Sequence, residues 1–347
     1  MMSHIEPNPL ITIVVVNWNG YPYLEECLQS LERQTWPETE IILVDNGSSD
    51  QSVDIVERWS EEKRVRLIQL DENKGFTVAN NMAFRIARGE WIALLNNDAV
   101  AEPDWLEKLV SAGNPPEKLG MVGGKILNYH QRNLIDKVGH LIYPDGQNRG
   151  RGTGQVDRGQ FDREEEILWP DGCACLYHRQ LLDETGGFDD DFFAYGDDAD
   201  LGLRARLLGW RAWYVPEAVV YHRHSSTAGA FSPLKIMLVE RNRVLLAIKN
   251  FPILLLLQNP YWTVLRYFWQ VVAACRGKGS SGSFSKEHGP LHLPLMVLWA
   301  HASAAKRLPA VLAKRRHVQK SRHLSSGQVR KLISRFRISL RELTYGG

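Results

Sequence analysis

No two of the four cysteines in this 347-residue chain form a Cys-x-x-Cys pair. Cys27, Cys173, Cys175 and Cys275 therefore read as free thiols, and a reducing, cytoplasmic setting is expected. The opening MMSHIEPNPL lacks both the basic n-region and the apolar h-region of a secretory leader. No run of 18 uncharged apolar residues with clean flanks is present, so no membrane-spanning helix is expected. Neither Gly-x-Gly-x-x-Gly after the first apolar run nor Gly-x-x-x-x-Gly-Lys-Ser/Thr occurs, which leaves a dinucleotide-binding fold and a P-loop NTPase unsupported.

What remains is a globular composition, 44% hydrophobic and 24% charged, long enough for one large or two ordinary domains with a buried core. The 42 Lys+Arg nearly balance the 40 Asp+Glu, but unevenly along the chain. Residues 276–347 hold about 15 basic and about 2 acidic residues, so an acidic body carries a basic tail.

Apolar runs alternate with helix-spaced segments. Ile11–Val16 is followed by Asn17-Trp18-Asn19-Gly20 and then by Leu24, Cys27, Leu28 and Leu31 at helical spacing. Ile41–Val44, Arg66–Leu70 and Trp91–Leu95 begin similar units, and they end in Asp45-Asn46-Gly47, in Asp71-Glu72-Asn73-Lys74-Gly75 and in Asn96-Asn97-Asp98. The alternation predicts an α/β fold, a parallel sheet with helices on both faces. Ligands of such sheets bind beyond the carboxyl ends of the strands, where these polar loops converge. Residues 120–180 are less regular. The Gly/Arg-rich stretch from 150 and the charged 161–166 read as an exposed lid over the site.

The densest acidic stretch runs from Gly187-Phe188-Asp189 to Asp197-Asp198-Ala199-Asp200 and leads into Leu201, Leu203, Arg204, Leu207 and Leu208. It predicts an amphipathic helix with Asp197, Asp198 and Asp200 in its first turn, where capping and the helix dipole favour acids. Capping explains one or two of them. Phe192, Phe193 and Tyr195 place the acids beside an apolar pocket, where a carboxylate can act as a base.

Together, Val14-Val15-Val16-Asn17-Trp18-Asn19-Gly20, Val44-Asp45-Asn46-Gly47-Ser48-Ser49-Asp50, Asn73-Lys74-Gly75-Phe76, Leu95-Asn96-Asn97-Asp98 and Gly186 to Asp200 resemble family 2 glycosyltransferases of the GT-A fold, most of all their bacterial rhamnosyltransferase-like branch. The resemblance covers about residues 10 to 250. It implies a GT-A catalytic domain over 1–250 that uses a nucleotide-sugar donor and Mn²⁺ or Mg²⁺, with inversion at the anomeric carbon. Asp98 matches the last acid of the metal motif, whose first position is here Asn96. His222, in Tyr221-His222-Arg223-His224-Ser225-Ser226, would complete the metal shell. Asn17, Asp45, Gly75, Asn80, Asn81 and Asn97 fall on the nucleotide side, with Gly75 allowing close backbone approach to the nucleotide. Asp198 matches the general base and Asp197 the acid before it, where the family has Glu. Trp169 and Asp171 lie where the family places acceptor or sugar contacts, an exposed Trp face being suited to stacking on a pyranose.

Residues 251–347 read as a helical extension. Phe251–Trp262 and Val264–Cys275 are the most apolar part of the chain, and Trp262, Tyr267, Phe268 and Trp269 are types favoured at a membrane interface. A second apolar stretch, Leu291–Ala305, precedes Lys306-Arg307 and Lys314-Arg315-Arg316. Apolar faces beside clustered cations predict peripheral attachment to an anionic membrane surface, the inner face of the plasma membrane. A helical subdomain packed on the core is the alternative. No nucleic-acid recognition motif accompanies the basic tail, so nucleic acid is not an expected partner.

The expectation is thus an inverting glycosyltransferase moving a sugar, rhamnose from dTDP-rhamnose or another dTDP- or UDP-sugar, onto a polyprenyl-diphosphate-linked glycan acceptor. Two rivals stand beside it. One is a nucleotidyltransferase on a similar sheet; the other, kept open by Asn96 and Asp197, is an inactive nucleotide-sugar-binding scaffold.

Overall fold

A computed structural model describes residues 8–113, 115–223, 232–279 and 292–345. Its centre is one large sheet built from β1 (Ile11–Asn17), β2 (Thr39–Asn46), β3 (Arg66–Leu70), β4 (Trp91–Leu95), β5 (Ala99–Ala101), β6 (Leu119–Asn128), β7 (Ile135–Lys137), β10 (Glu165–Ile167), β11 (Ala174–His178) and β12 (Arg211–His222). A separate hairpin pairs β8 (His140–Ile142) with β9 (Asn148–Gly150).

The main order is β10-β12-β6-β11-β4-β1-β2-β3. β4, β1, β2 and β3 run parallel, as the alternating pattern predicts. Beyond β4 the sheet is mixed: β11 runs antiparallel to both β4 and β6, and β12 pairs parallel with β6 but antiparallel with β5 and β10. The apolar run of β1 is continuous because both its faces are covered. Ile11, Ile13 and Val15 join a core layer with α1 (Leu24–Glu32), α2 (Ser52–Glu61) and α4 (Trp105–Val110). Val14 faces the opposite layer, with Ala79 and Ala83 of α3 (Gly75–Ile86).

The acidic segment forms α6 (Asp197–Leu207), after the short α5 (Arg179–Thr185). It is not amphipathic: every residue from Ala199 to Leu207 is buried. The reason lies in what covers it. α7 (Pro233–Asn250) crosses it, and the chain beyond residue 250 lays α8 (Ile253–Cys275), α9 (His292–Lys306), α10 (Leu308–Ser321), α11 (Ser326–Arg335) and α12 (Leu340–Tyr345) around the same layer. Ala304, Val311, Val318, Val329, Leu332, Ile333 and Phe336 belong to one hydrophobic cluster with the sheet.

Part of the basic tail is spent inside the molecule. Lys314 pairs with Asp189 and Asp191, Arg315 donates to the carbonyls of Ile248 and Phe251, and Arg335 pairs with Glu166. α8 is a single helix through Pro260, and no helix among the described residues is long and apolar enough to cross a membrane.

Candidate active site

A cavity of about 700 Å³ opens where the loops after β1, β2 and β4 meet the start of α6 and the side of α7. Asp98, Asp171, Asp197, Asp198 and His222 all line it.

The β5–β12 register brings the first chemical pair together, because Ala99 lies opposite His222 and the turn just before Ala99 carries Asp98. His222 Nε2 sits 3.2 Å from Asp98 Oδ1, and His222 Nδ1 sits 2.6 Å from Asp136 Oδ2. Asp136 thus fixes the ring so that Nε2 points at Asp98, the way carboxylates orient metal-binding imidazoles. Octahedral donors at Mg²⁺-like bond lengths lie about 3 Å apart, so the pair fits two adjacent positions around a small divalent cation. Burial opposes a proton on His222, but Cys173, Asp136 and Asp98 outweigh it and hold the imidazole well above its ordinary value. A proton there occupies the place a cation would take.

A second group lies across the cavity. Asp171 Oδ2 is 2.7 Å from Lys137 Nζ and 2.8 Å from His140 Nε2, and that nitrogen is also 3.5 Å from Asp198 Oδ2. One ligand atom from each of His140, Asp171 and Asp198 falls within 4.8 Å of the others, a spacing that itself could hold a cation. Lys137 already supplies a positive charge to Asp171, so this group is the poorer cation site. Burial would raise the Asp171 carboxyl, yet Lys137 and His140 hold it well below the usual range. Asp198 moves the other way: burial and Asp171 raise it, against His140 and Lys137. Burial, with Asp198 next to it, pushes Asp197 up strongly. A largely buried carboxyl lifted toward neutrality at the wall of a cavity suits proton transfer. Asp200 does not join it, because it accepts from Arg204, Lys249 and Asn250 and ties α6 to α7.

The nucleotide-side residues divide. The Asn17 side chain is buried and lies within hydrogen-bond distance of Asp45, Ser48 and Ser52, while its oxygen accepts from Asn97. Asp45 also accepts from the Ser48 backbone. These contacts lock three strand-end loops together, and Asn97 carries the knot to the cavity wall. Asn80 and Asn81 do not reach the cavity. Asn80 donates to the Phe76 carbonyl one turn back, and Asn81 bonds both the backbone of Phe188 and Asp190, because α3 presents this face to the 188–190 loop. Gly75 is at the wall with φ +86°, but the close approach it permits is to Phe193: a Cβ would lie 2.5 Å from that ring.

Trp169 is a further correction. It is 0% exposed, so it offers no face to a sugar. Its ring stacks on His140, and its side chain packs on Gly202 of α6, where a Cβ would come within 2.5 Å of the Trp169 Cβ. It is a wedge under the acids rather than a platform above them. Nor is 150–166 a lid: Lys125 ties it down through Asp157 and Asp162, Arg151 pairs with Glu165, and none of these residues lines the cavity. Of the later motif, His224, Ser225 and Ser226 lie outside the described residues.

Several site residues escaped the sequence reading. Asp136, Lys137 and His140 come from the irregular excursion between β6 and β9, and no spacing pattern marks them. Asn46 lines the cavity from the end of β2 and accepts from the Lys74 backbone. Phe193 takes φ 66° and ψ −62° in a γ-turn closed from Ala194 N–H to the Phe192 carbonyl, a conformation that costs on the order of 1–3 kcal/mol. Asn242 of α7 holds it there by donating to the carbonyls of Phe192, Ala194 and Tyr195. The aromatic run before the acids was the only signal for this loop.

A profile described as Glycosyl transferase family 2 matches residues 12–186, and the chain belongs to that family. It is 28% identical over 234 residues to the O-antigen biosynthesis protein RfbC of Myxococcus xanthus, which covers 65% of this chain but only 18% of that protein. It is 26% identical over 242 residues to the N-acetylglucosaminyl-diphospho-decaprenol L-rhamnosyltransferase of Mycobacterium tuberculosis, covering 63% of this chain and 78% of the relative. Among solved structures, GalNAc-T7 with UDP, GalNAc and Mn²⁺ superposes with a TM-score of 0.57 at 14% identity, over 88% of this chain and 58% of that one. TarS of S. aureus superposes at 0.51 with 17% identity, over 94% and 55%. The fold is therefore GT-A, with C-terminal helices added, and the chain spans well under two thirds of the length of some of the relatives it matches.

Proposed function

We propose that this protein is a metal-dependent, inverting glycosyltransferase that moves a sugar, rhamnose from dTDP-rhamnose in the first instance, onto a polyprenyl-diphosphate-linked glycan. The observation that carries the reading is the single cavity holding both the Asp98–His222 pair at 3.2 Å and the Asp198 carboxyl raised by burial. Asp98 and His222 would hold Mn²⁺ or Mg²⁺, whose charge offsets that developing on the leaving diphosphate. Asp198 takes the proton of the acceptor hydroxyl as its oxygen bonds to the anomeric carbon and the nucleotide diphosphate departs with the bonding electron pair. His140 and Lys137 fix Asp171 beside it, and Asp197, next in the chain, lines the same cavity. The Asn17–Asp45–Asn97 knot supports the donor nucleotide.

The rhamnosyl donor and lipid-linked acceptor draw support from the Mycobacterium relative's name, and the peripheral membrane location from the exposed apolar face of α8. The test is thermal-shift and calorimetric binding of dTDP, UDP, GDP and their sugars, with and without Mn²⁺. Selective, Mn²⁺-dependent stabilisation by a dTDP or UDP ligand is expected. No binding by any of them would overturn the donor site, whereas binding without transfer to a lipid-linked acceptor would favour the inactive scaffold.

A further inference from the structure

A second cavity, of about 490 Å³, lies between the flank of α8 and α11. Gln258 and Trp262 of α8 form one wall; Arg330, Lys331, Ser334 and Arg337 form the other. Arg337 lies over the Trp262 ring at 4.7 Å. Unlike Lys314 and Arg335 of the same tail, which pair with carboxylates, and Arg315, which is held by backbone carbonyls, these three cations meet no carboxylate within ion-pair distance among the described residues. They surround an opening with no acidic residue in its lining among the described residues. Such a recess calls for an anion, and Arg forks with a hydroxyl beside them suit a phosphate group.

What borders the recess says where that phosphate comes from. Ile253, Leu257, Tyr261, Val264, Phe268 and Val271 recur at helical spacing along the adjoining face of α8, and they are exposed, Leu257 to 71% and Val264 to 66%. An apolar stripe this long on a monomer marks an interaction surface. An apolar stripe flanked by a phosphate-sized cationic recess matches the two layers of a lipid leaflet, acyl chains and headgroups. The recess also adjoins the active cavity, because one turn separates them: Pro144 lines the recess, and Gln147, closing the turn through the Tyr143 N–H, lines the cavity above it.

We infer that the recess between α8 and α11 binds the phosphate headgroup of an anionic glycerophospholipid while the α8 stripe enters the acyl layer, which sets the active cavity facing the leaflet. This rests on the reading of the protein as membrane-peripheral and names the contact that would hold it there.

The test uses the full chain and co-sedimentation with vesicles of phosphatidylcholine alone or with phosphatidylglycerol at about a third of the lipid, a composition that supplies the negative surface potential the recess would read. The variants are Arg330→Ala/Lys331→Ala, both on exposed positions; Leu257→Glu/Val264→Glu on the stripe; and Arg33→Ala/Arg158→Ala, which removes equal charge from exposed positions elsewhere. Expected are binding of the unaltered chain to phosphatidylglycerol vesicles, at least a tenfold loss in the first two variants, and none in the third. Equal loss in the first and third means that only net charge matters and overturns the recess. Full binding by Arg330→Ala/Lys331→Ala also overturns it while leaving membrane attachment standing. No binding by the unaltered chain to either vesicle overturns the membrane reading and this inference together. A thermal shift with inorganic phosphate that Arg330→Ala/Lys331→Ala abolishes, with vesicles still unbound, would make this a soluble-phosphate site and reject the lipid.

Discussion

Two buried ionic clusters lie within one layer of this molecule. Between α7 and α8, Glu240 and Asp145 meet Arg243 and Arg266: Arg266 Nε is 2.6 Å from Asp145, its Nη2 is 3.0 Å from Glu240, and Arg243 and Tyr267 close on Glu240 as well. Around the active cavity, Asp98, Asp136, Asp171, Asp197 and Asp198 share Lys137, His140 and His222. The first cluster is balanced, and although burial would raise Glu240, its arginines bring the carboxyl down from 4.5 to about 2. The second has more carboxylates than cations, and burial, with the neighbouring acids added to it, raises the carboxyls of Asp197 and Asp198. A balanced cluster fastens helices. One with unmatched acid is built to receive a proton or a cation that arrives with substrate.

Asp198→Asn tests the unmatched cluster most severely. Transfer should fall on the order of 10³-fold, within the range for losing a general base, while nucleotide affinity stays within a few-fold. The same change should raise the unfolding midpoint at neutral pH. A carboxyl raised in the folded state gives most stability below its ordinary 3.8 and loses it as pH rises through the folded value, so removing the charge relieves the native state. Full transfer activity in the variant would reject Asp198 as the base.

The balanced cluster should show the opposite slope. Glu240 is depressed in the folded state, so its contribution is complete above about 4.5 and disappears as pH falls toward about 2, a span worth roughly 3 kcal/mol. Urea unfolding from pH 7 to pH 3 should therefore lose stability steeply, and Glu240→Gln should both lower stability at pH 7 and flatten that slope. An unchanged slope would mean that the pairing with Arg243 and Arg266 carries no net stability.

A smaller effect separates the outer carboxylate from the ligands. Asp136→Asn should weaken Mn²⁺ affinity by about 10–100-fold, the usual cost of losing a carboxylate behind a metal-binding imidazole, without changing the fold. Calorimetric titration of Mn²⁺ into the nucleotide-bound protein checks it, and unaltered affinity would remove His222 from the metal shell.

Where strands and helices alternate in simple order, local pattern and fold agree, and residues 11–95 could be read off: four apolar runs became four parallel strands, and the loops after them meet at one end. Asp98 and His222 could be paired because each sits in a recognisable motif. Trp169 and Asn81 could not be placed, since a Trp or an Asn looks the same in sequence whether it faces a cavity or fills the space beneath it. Lys137 and His140 were invisible for another reason. They lie on the three-residue strands β7 and β8, too short to show a period, and only the pairing of β6 with β7 and β12 brings this stretch to the acids.

By itself the sequence determined the family, the strand-end location of the site and the acids able to do its chemistry, because each of these is written in short runs of neighbouring residues. Tertiary structure alone decided which acids are matched and which are surplus. It also decided that α6 is enclosed on every side and that some cations of the tail are bound internally while Arg330, Lys331 and Arg337 meet no carboxylate among the described residues. Charge balance depends on distances between atoms far apart in the chain, and only the packed molecule sets those.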